Sequence, residues 1–353
     1  MSNLPLPAIS WSWIISRLGA VADLDLSARK FKAFTRRGKV ADPIALLRLI
    51  LIYGPGGLSL RGTAAAAVGV VADVSDKAVE GRLRKAGDWL QHLLECLLRA
   101  QGRAIPEGGL ALSLVDGSLI CAPGSGGQWR LHARYDPGAG RFTDLSLTSA
   151  RVSEAVERTA LPAGDVLITD RGYARVRNFN AVIASGSAFI TRLGWRSLAL
   201  RTEAGEAFDL IANLPRGDAP VEHAVRVGGV EQTLRLVMQR LPPEKTAKNQ
   251  RRVARRSSRS GHELDPRTTQ AAGCLMLLTS LPAPQSALRV LELYRARWQI
   301  EMSFKRLKTL GGIDKLPCAD PRLARTWLLA HLIVAVITDE LASRLVGVPP
   351  SGG

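Results

Sequence analysis

Two aspartates stand at the ends of apolar runs, Asp116 in "LSLVDGSLI" and Asp170 in "VLITDRGY". Each run reads as a buried strand, and α/β sheets build their sites at the carboxyl ends of strands. Taken singly, Asp-Gly and Asp-Arg-Gly are also ordinary turn sequences. A third carboxylate, Glu301, lies in "YRARWQIEMSFKRLK", where Tyr294, Arg297, Glu301 and Lys308 follow one another at three, four and seven residues. On one continuous helix that spacing keeps all four on a narrow face. Leu293, Ile300, Phe304 and Leu307 form an adjoining apolar stripe that would dock the helix and turn Glu301 towards the strand ends. Three carboxylates without histidines suit a hard cation, Mg²⁺ or Mn²⁺. Two such ions about 4 Å apart activate an attacking oxygen and stabilise a leaving one during in-line phosphoryl displacement. Arg297 and Lys308 are then placed for phosphates.

The charge balance points the same way. Across 353 residues, 48 Lys and Arg face 31 Asp and Glu, a net charge of +17. Such a surplus calls for a polyanionic partner, and nucleic acid is the natural one. Hydrophobic content of 46% and charged content of 22% are those of an ordinary globular protein. Cys96, Cys121, Cys274 and Cys318 are far apart and form no C-x-x-C pair, which excludes a zinc framework and fits a reducing cytoplasm. The start, "MSNLPLPAISWSW", lacks the pattern of a signal peptide. The apolar runs "PIALLRLILIY" and "WLLAHLIVAVIT" are short of a membrane span and read as core helices.

The elements that must position the carboxylates fall into four stretches. Residues 1–108 read as an all-helical, DNA-binding N-terminal domain. Asp42 and Pro43 open one helix, and Ser59 and Ser75 cap two more in a helix-turn-helix-like outline. Residues 109–194 carry three strands, a helix "SEAVERTAL", a strand, a helix "NFNAVIASG" and the strand "AFITRL". That order is the pattern of an RNase H-like α/β core. Residues 195–273 read as a β-rich insertion containing "VEHAVRV", "QTLRLVMQR" and a basic arm, "KNQRRVARRSSR". In that arm Arg251, Arg252, Arg255 and Arg256 belong to six cations with no acid among them, a phosphate-contacting composition that a solvated helical face also matches. Residues 274–353 return to the core with "CLMLLTSL" and the Glu301 helix.

On these residues the chain resembles the DDE transposases of the IS4 family of insertion sequences. The "Y-x2-R-x3-E-x6-K" signature is met by Tyr294, Arg297, Glu301 and Lys308, and "VDGS", "WRLH" and "TDRGY" resemble further family blocks. The resemblance implies that Asp116, Asp170 and Glu301 hold two Mg²⁺ or Mn²⁺ ions. It also implies nicking at the element's ends, often through a hairpin intermediate, and transfer of 3′-hydroxyls into target DNA. Arg171, after the second aspartate, becomes a phosphate ligand. Trp298 resembles a family aromatic that handles a flipped base, although a core tryptophan is equally compatible with its position. The implied partners are terminal inverted repeats and target DNA, met by a homodimer in the bacterial cytoplasm at the nucleoid, with no membrane. Members often extend further past the helix corresponding to "RTWLLAHLIVAVITDELASRL". Two other readings stand beside this one: a metal-dependent nuclease that uses the same carboxylates to cut without joining, and a truncated or degenerate element protein that binds DNA and regulates transposition without catalysis, against which the intact triad argues.

Overall fold

A computed structural model describes residues 10–346 apart from 102–108, 122, 124–126, 160, 262, 310 and 315. The first nine residues, and residue 108 at the boundary between helical and strand-rich stretches, lie outside the described residues. The chain opens with helices α1 (Trp11–Gly19), α2 (Leu24–Lys30), α3 (Pro43–Tyr53), α4 (Leu60–Ala67), α5 (Asp76–Leu83) and α6 (Gly87–Ala100). Their starts follow the capping residues. The side chains of Asp42, Ser59 and Ser75 accept from the backbone N–H of Ala45, Gly62 and Ala78, and Pro43 opens α3.

Strands β1 (Leu112–Cys121), β2 (Gly127–Asp136), β3 (Arg141–Ser149), β4 (Val166–Thr169) and β5 (Ala188–Arg192) follow, with α7 (Val176–Ala184) crossing between β4 and β5. Then come β6 (Leu200–Arg201), β7 (Val221–Val227), β8 (Leu234–Arg240), α8 (Pro243–Ser260), α9 (Pro266–Ala271) and β9 (Cys274–Thr279). The chain closes with α10 (Ala287–Arg295), α11 (Trp298–Thr309) and α12 (Pro321–Val346). The strands form one mixed sheet in the order β3-β2-β1-β4-β5-β9-β8-β7-β6. β4 runs parallel to β1 and β5, and the other neighbours are antiparallel. The strands of the 195–273 stretch therefore prolong the sheet of the first strands through β9.

Both faces of the sheet are covered, and β4 shows how. Val166 and Ile168 join one apolar cluster with the N-terminal helices, α6 and α10 to α12, while Leu167 joins the other with α7, β7 and β8. Strand alternation produces that division.

Three expectations change. "SEAVERTAL" is not a helix: only Val156–Arg158 make a single 3₁₀ turn. Partners elsewhere take its backbone groups, since Val156 N–H donates to Asn178 Oδ1 and the Ser146 hydroxyl donates to the Arg158 carbonyl. A nine-residue helix has too little intrinsic stability to compete. The Glu301 helix is not continuous either, because α10 ends at Arg295 and α11 begins at Trp298. Ala296 and Arg297 donate to the carbonyls three residues back, at 3.1 Å each, so the chain tightens there and re-aims. "WLLAHLIVAVIT", finally, belongs to the 26-residue α12. Length and apolarity alone would let that helix cross a membrane, but most of its apolar window is buried, packed against α6 and α3.

Candidate active site

The parallel pairing of β1 with β4 ends at Val115 opposite Thr169, so Asp116 and Asp170 follow side by side. Asp116 is not at a strand end, since β1 continues to Cys121 and Asp116 pairs with Ala133 of β2. Only its parallel partner stops there. Alternation from Leu114 and from Ile168 sets both carboxylates on the face covered by α10 and α11.

Asp116 Oδ1 accepts from the N–H of Gly117 at 2.8 Å. Burial pushes its pKa up to about 6; the Gly117 N–H and Arg297 oppose the rise, while Asp170 and Glu154 add to it. Asp170 Oδ1 is buried and has no hydrogen-bond partner among the described residues. A buried carboxylate oxygen without a donor is costly, and a cation is the natural remedy.

Arg297 occupies the break between α10 and α11. Its Nη1 lies 3.9 Å from Asp116 Oδ2, its Nη2 donates to Glu301 Oε1 at 2.5 Å, and its guanidinium sits 5.8 Å from the ring centre of Tyr294. Burial disfavours the Arg297 charge, but Tyr294, Asp170 and Glu301 outweigh it and raise the pKa. Tyr294 is buried, its pKa is pushed up to about 12 by burial, and its hydroxyl also lacks a partner among the described residues. Arg297 links Asp116 to Glu301, but the three carboxylates are not drawn into one cluster. Among the described residues no three acidic, His or Cys groups are close enough to hold a metal. Glu301 is half exposed and paired with Arg297.

Lys308 Nζ donates to the carbonyl of Leu119 at 2.9 Å, which ties α11 to β1. Trp298 is 58% exposed, with Met302 one turn on and also exposed. Of the arm residues on α8, Arg252 comes near Arg171, the residue after Asp170. It lines a small cavity of about 80 Å³ with Arg171, Arg192, Trp195 and Asn249. Arg251, Arg255 and Arg256 lie on the exposed surface of α8, none of whose residues is buried. Burial, and next the charge of Arg192, lowers the pKa of Arg171. Three guanidiniums around one cavity, with no ion-pair partner among the described residues, suit an anion. Arg192 was missed in the sequence, though it ends the strand "AFITRL" just as Asp170 follows "VLIT". Glu154 was missed as well. Its carboxylate pairs with Arg130 of β2 and rests against Gly117 and Gly172.

Residues 107–337 match the family profile described as the transposase DDE domain. The chain is 40% identical over 358 residues to the transposase for insertion sequence element IS421 of Escherichia coli, covering 97% of this chain and 96% of that one. It belongs to the IS4-family DDE transposases. The transposase is likewise 40% identical over 357 residues to InsL of insertion sequence element IS186A of Escherichia coli K12, with the same coverage of both chains. Its fold is similar to that of the piggyBac transposase in a synaptic complex with hairpin DNA, at a TM-score of 0.52 and 8% identity, over 99% of this chain and 79% of that one.

Proposed function

We propose that this transposase cleaves DNA at the ends of its insertion sequence and joins the 3′-hydroxyl ends to target DNA, on an RNase H-like core. Asp116, Asp170 and Glu301 are the ligands for Mg²⁺ or Mn²⁺. The adjacency of Asp116 and Asp170 at the end of the β1–β4 pairing, with one buried carboxylate oxygen lacking a donor among the described residues, carries this assignment. An all-oxygen donor set fits a hard divalent cation. When bound, such an ion supplies Lewis acidity, favouring deprotonation of an attacking oxygen and offsetting charge on the leaving one.

The remaining residues hold the DNA. Arg297 lies between Asp116 and Glu301, within reach of a phosphate brought to the aspartates. Arg171, Arg192 and Arg252 take a neighbouring phosphate in their cavity. Trp298, exposed at the start of α11, offers a free ring face to an unstacked base. The exposed cations of α8 extend the phosphate track, and two copies of the chain serve the two ends of the element. The piggyBac neighbour, solved with hairpin DNA, supports DNA as the partner.

Asp116→Asn, Asp170→Asn and Glu301→Gln each test the triad. A neutral amide binds a hard cation poorly, while affinity for DNA comes mainly from Lys and Arg. Each variant should therefore shift end DNA in a gel like the parent but leave it uncut. Near-parental cleavage in Mg²⁺ by any one of them removes that residue from the triad.

A further inference from the structure

The two aspartates are each followed closely by a glycine, Gly117 and Gly172, and neither glycine adopts a positive φ. Gly117 sits inside β1, where glycine weakens a strand unless something must approach the backbone. What approaches is Glu154. A Cβ on Gly172 would collide with Glu154 Oε2 and lie 3.2 Å from its Cδ; one on Gly117 would lie 3.4 Å from its Cγ and Oε1. A single carboxylate thus touches the backbone just beyond both aspartates.

That carboxylate is largely buried, at 23% side-chain exposure, and pairs with Arg130, at 17%. Arg130 Nη2 also donates to the Ala150 carbonyl at 3.4 Å, on the way from β3 to the Glu154 segment. The hydroxyl of Tyr173 is buried without a partner among the described residues, in the same 3₁₀ turn as Gly172. Burying an ion pair is a poor way to gain stability, because desolvation offsets most of the attraction. Glu154 also brings a further negative charge beside the backbone that carries the two aspartates. A pair that only held the fold together would be better placed away from two carboxylates.

We propose that Glu154, oriented by Arg130, is a positioning residue for cation binding: it sets the backbone that presents Asp116 and Asp170 and adds its charge to their field. This role rests on the two aspartates being metal ligands. Groups behind metal ligands typically contribute 10–100-fold to metal affinity. The probe is Mn²⁺, titrated into the metal-free full-length protein and followed by the electron paramagnetic resonance signal of the free ion. Glu154→Gln keeps the side-chain shape and should weaken Mn²⁺ binding about 10–100-fold, with gel-shift affinity for DNA unchanged. Gly172→Ala should reproduce the defect by displacing the carboxylate, whereas Gly117→Ala, whose new methyl meets only ordinary van der Waals distances, should stay within about threefold. The double variant Glu154→Gln/Arg130→Gln removes both charges. It should melt close to the parent yet still bind Mn²⁺ weakly.

Parental Mn²⁺ affinity in Glu154→Gln, or recovery of affinity in the double variant, overturns the proposal. Asp116→Asn is the control that separates two failures. If it loses Mn²⁺ while Glu154→Gln does not, only the role of Glu154 is wrong. If it too binds like the parent, the metal-ligand assignment itself falls.

Discussion

His132, on β2, is buried with Nε2 2.8 Å from Thr148 Oγ1, and burial, aided by Arg130 and Arg158, pushes its pKa down to about 4. In the unfolded chain the imidazole titrates near 6.5. Between these values the unfolded state binds a proton that the folded state does not. The contribution is therefore complete above about 6.5 and is lost as pH falls through 4, worth about 3 kcal/mol. Urea titrations near pH 7 and pH 4.5 should show His132→Gln losing less stability on acidification than the parent. Equal losses would assign the acid sensitivity elsewhere. Trp298 invites a different test. Its exposure argues against a core role, which would cost about 3–5 kcal/mol on truncation. Trp298→Ala should instead change stability by less than about 0.5 kcal/mol. It should still slow the step that needs a distorted DNA end by a stacking loss of about 1–3 kcal/mol. A time course separating nicked from fully cut DNA reads this, and a parallel fall in both products excludes the stacking role. The adjacency of Asp116 and Asp170 was legible because each follows an apolar run that reads as a strand. Glu154 was not, because "SEAVERTAL" carries helical composition and only the fold turns its glutamate inwards.

α8 was legible as a basic element from composition alone, and its 18 residues are helical with none buried. Removing its charges should therefore leave melting unchanged and affect binding only. Neutralising Arg251, Arg252, Arg255 and Arg256 together should weaken binding about equally across sequences. It should also flatten the log–log salt dependence by roughly 0.9 for each phosphate that the helix no longer neutralises. Arg252→Ala alone should carry a large share, since Arg252 shares a cavity with Arg171 and Arg192. An unchanged slope in the fourfold variant would make α8 a solvated helix and nothing more. The break between α10 and α11 was not legible, because apolar residues keep helical spacing from Leu293 through Leu307 across it. Spacing reports which face is buried, but it does not report that Ala296 and Arg297 tighten the chain locally. Arg297, at the break, reaches both Tyr294 and Glu301, neighbours that three- and four-residue spacing would also bring together on a continuous helix.

Composition foretold several stretches, yet the described residues from Leu18 to Ile337 include one apolar cluster that runs from the N-terminal helices into the sheet. α12 joins them. It packs on α3, α5 and α6 on one side and on β3 on the other. Its Thr326 hydroxyl donates to the Leu83 carbonyl at 2.8 Å, and Arg325 pairs with Asp88 at 2.5 Å. Arg17 of α1 pairs with Glu340 at 2.7 Å. Helical and strand segments far apart in sequence cannot announce such sharing, since each reads as complete within its own period. A common core implies common unfolding, so scanning calorimetry of the full chain should give one cooperative transition. Leu328 is fully buried in α12, and Leu328→Ala should cost about 2–5 kcal/mol by leaving a cavity. That loss should move the whole transition, monitored both by far-ultraviolet dichroism and by tryptophan fluorescence from Trp89 in α6 and its neighbours. If the variant instead splits the melt, with the fluorescence change preceding an unmoved second step, the N-terminal helices fold as a unit of their own. In that case α12 would act as a docking strut between two separately stable parts rather than as the centre of one.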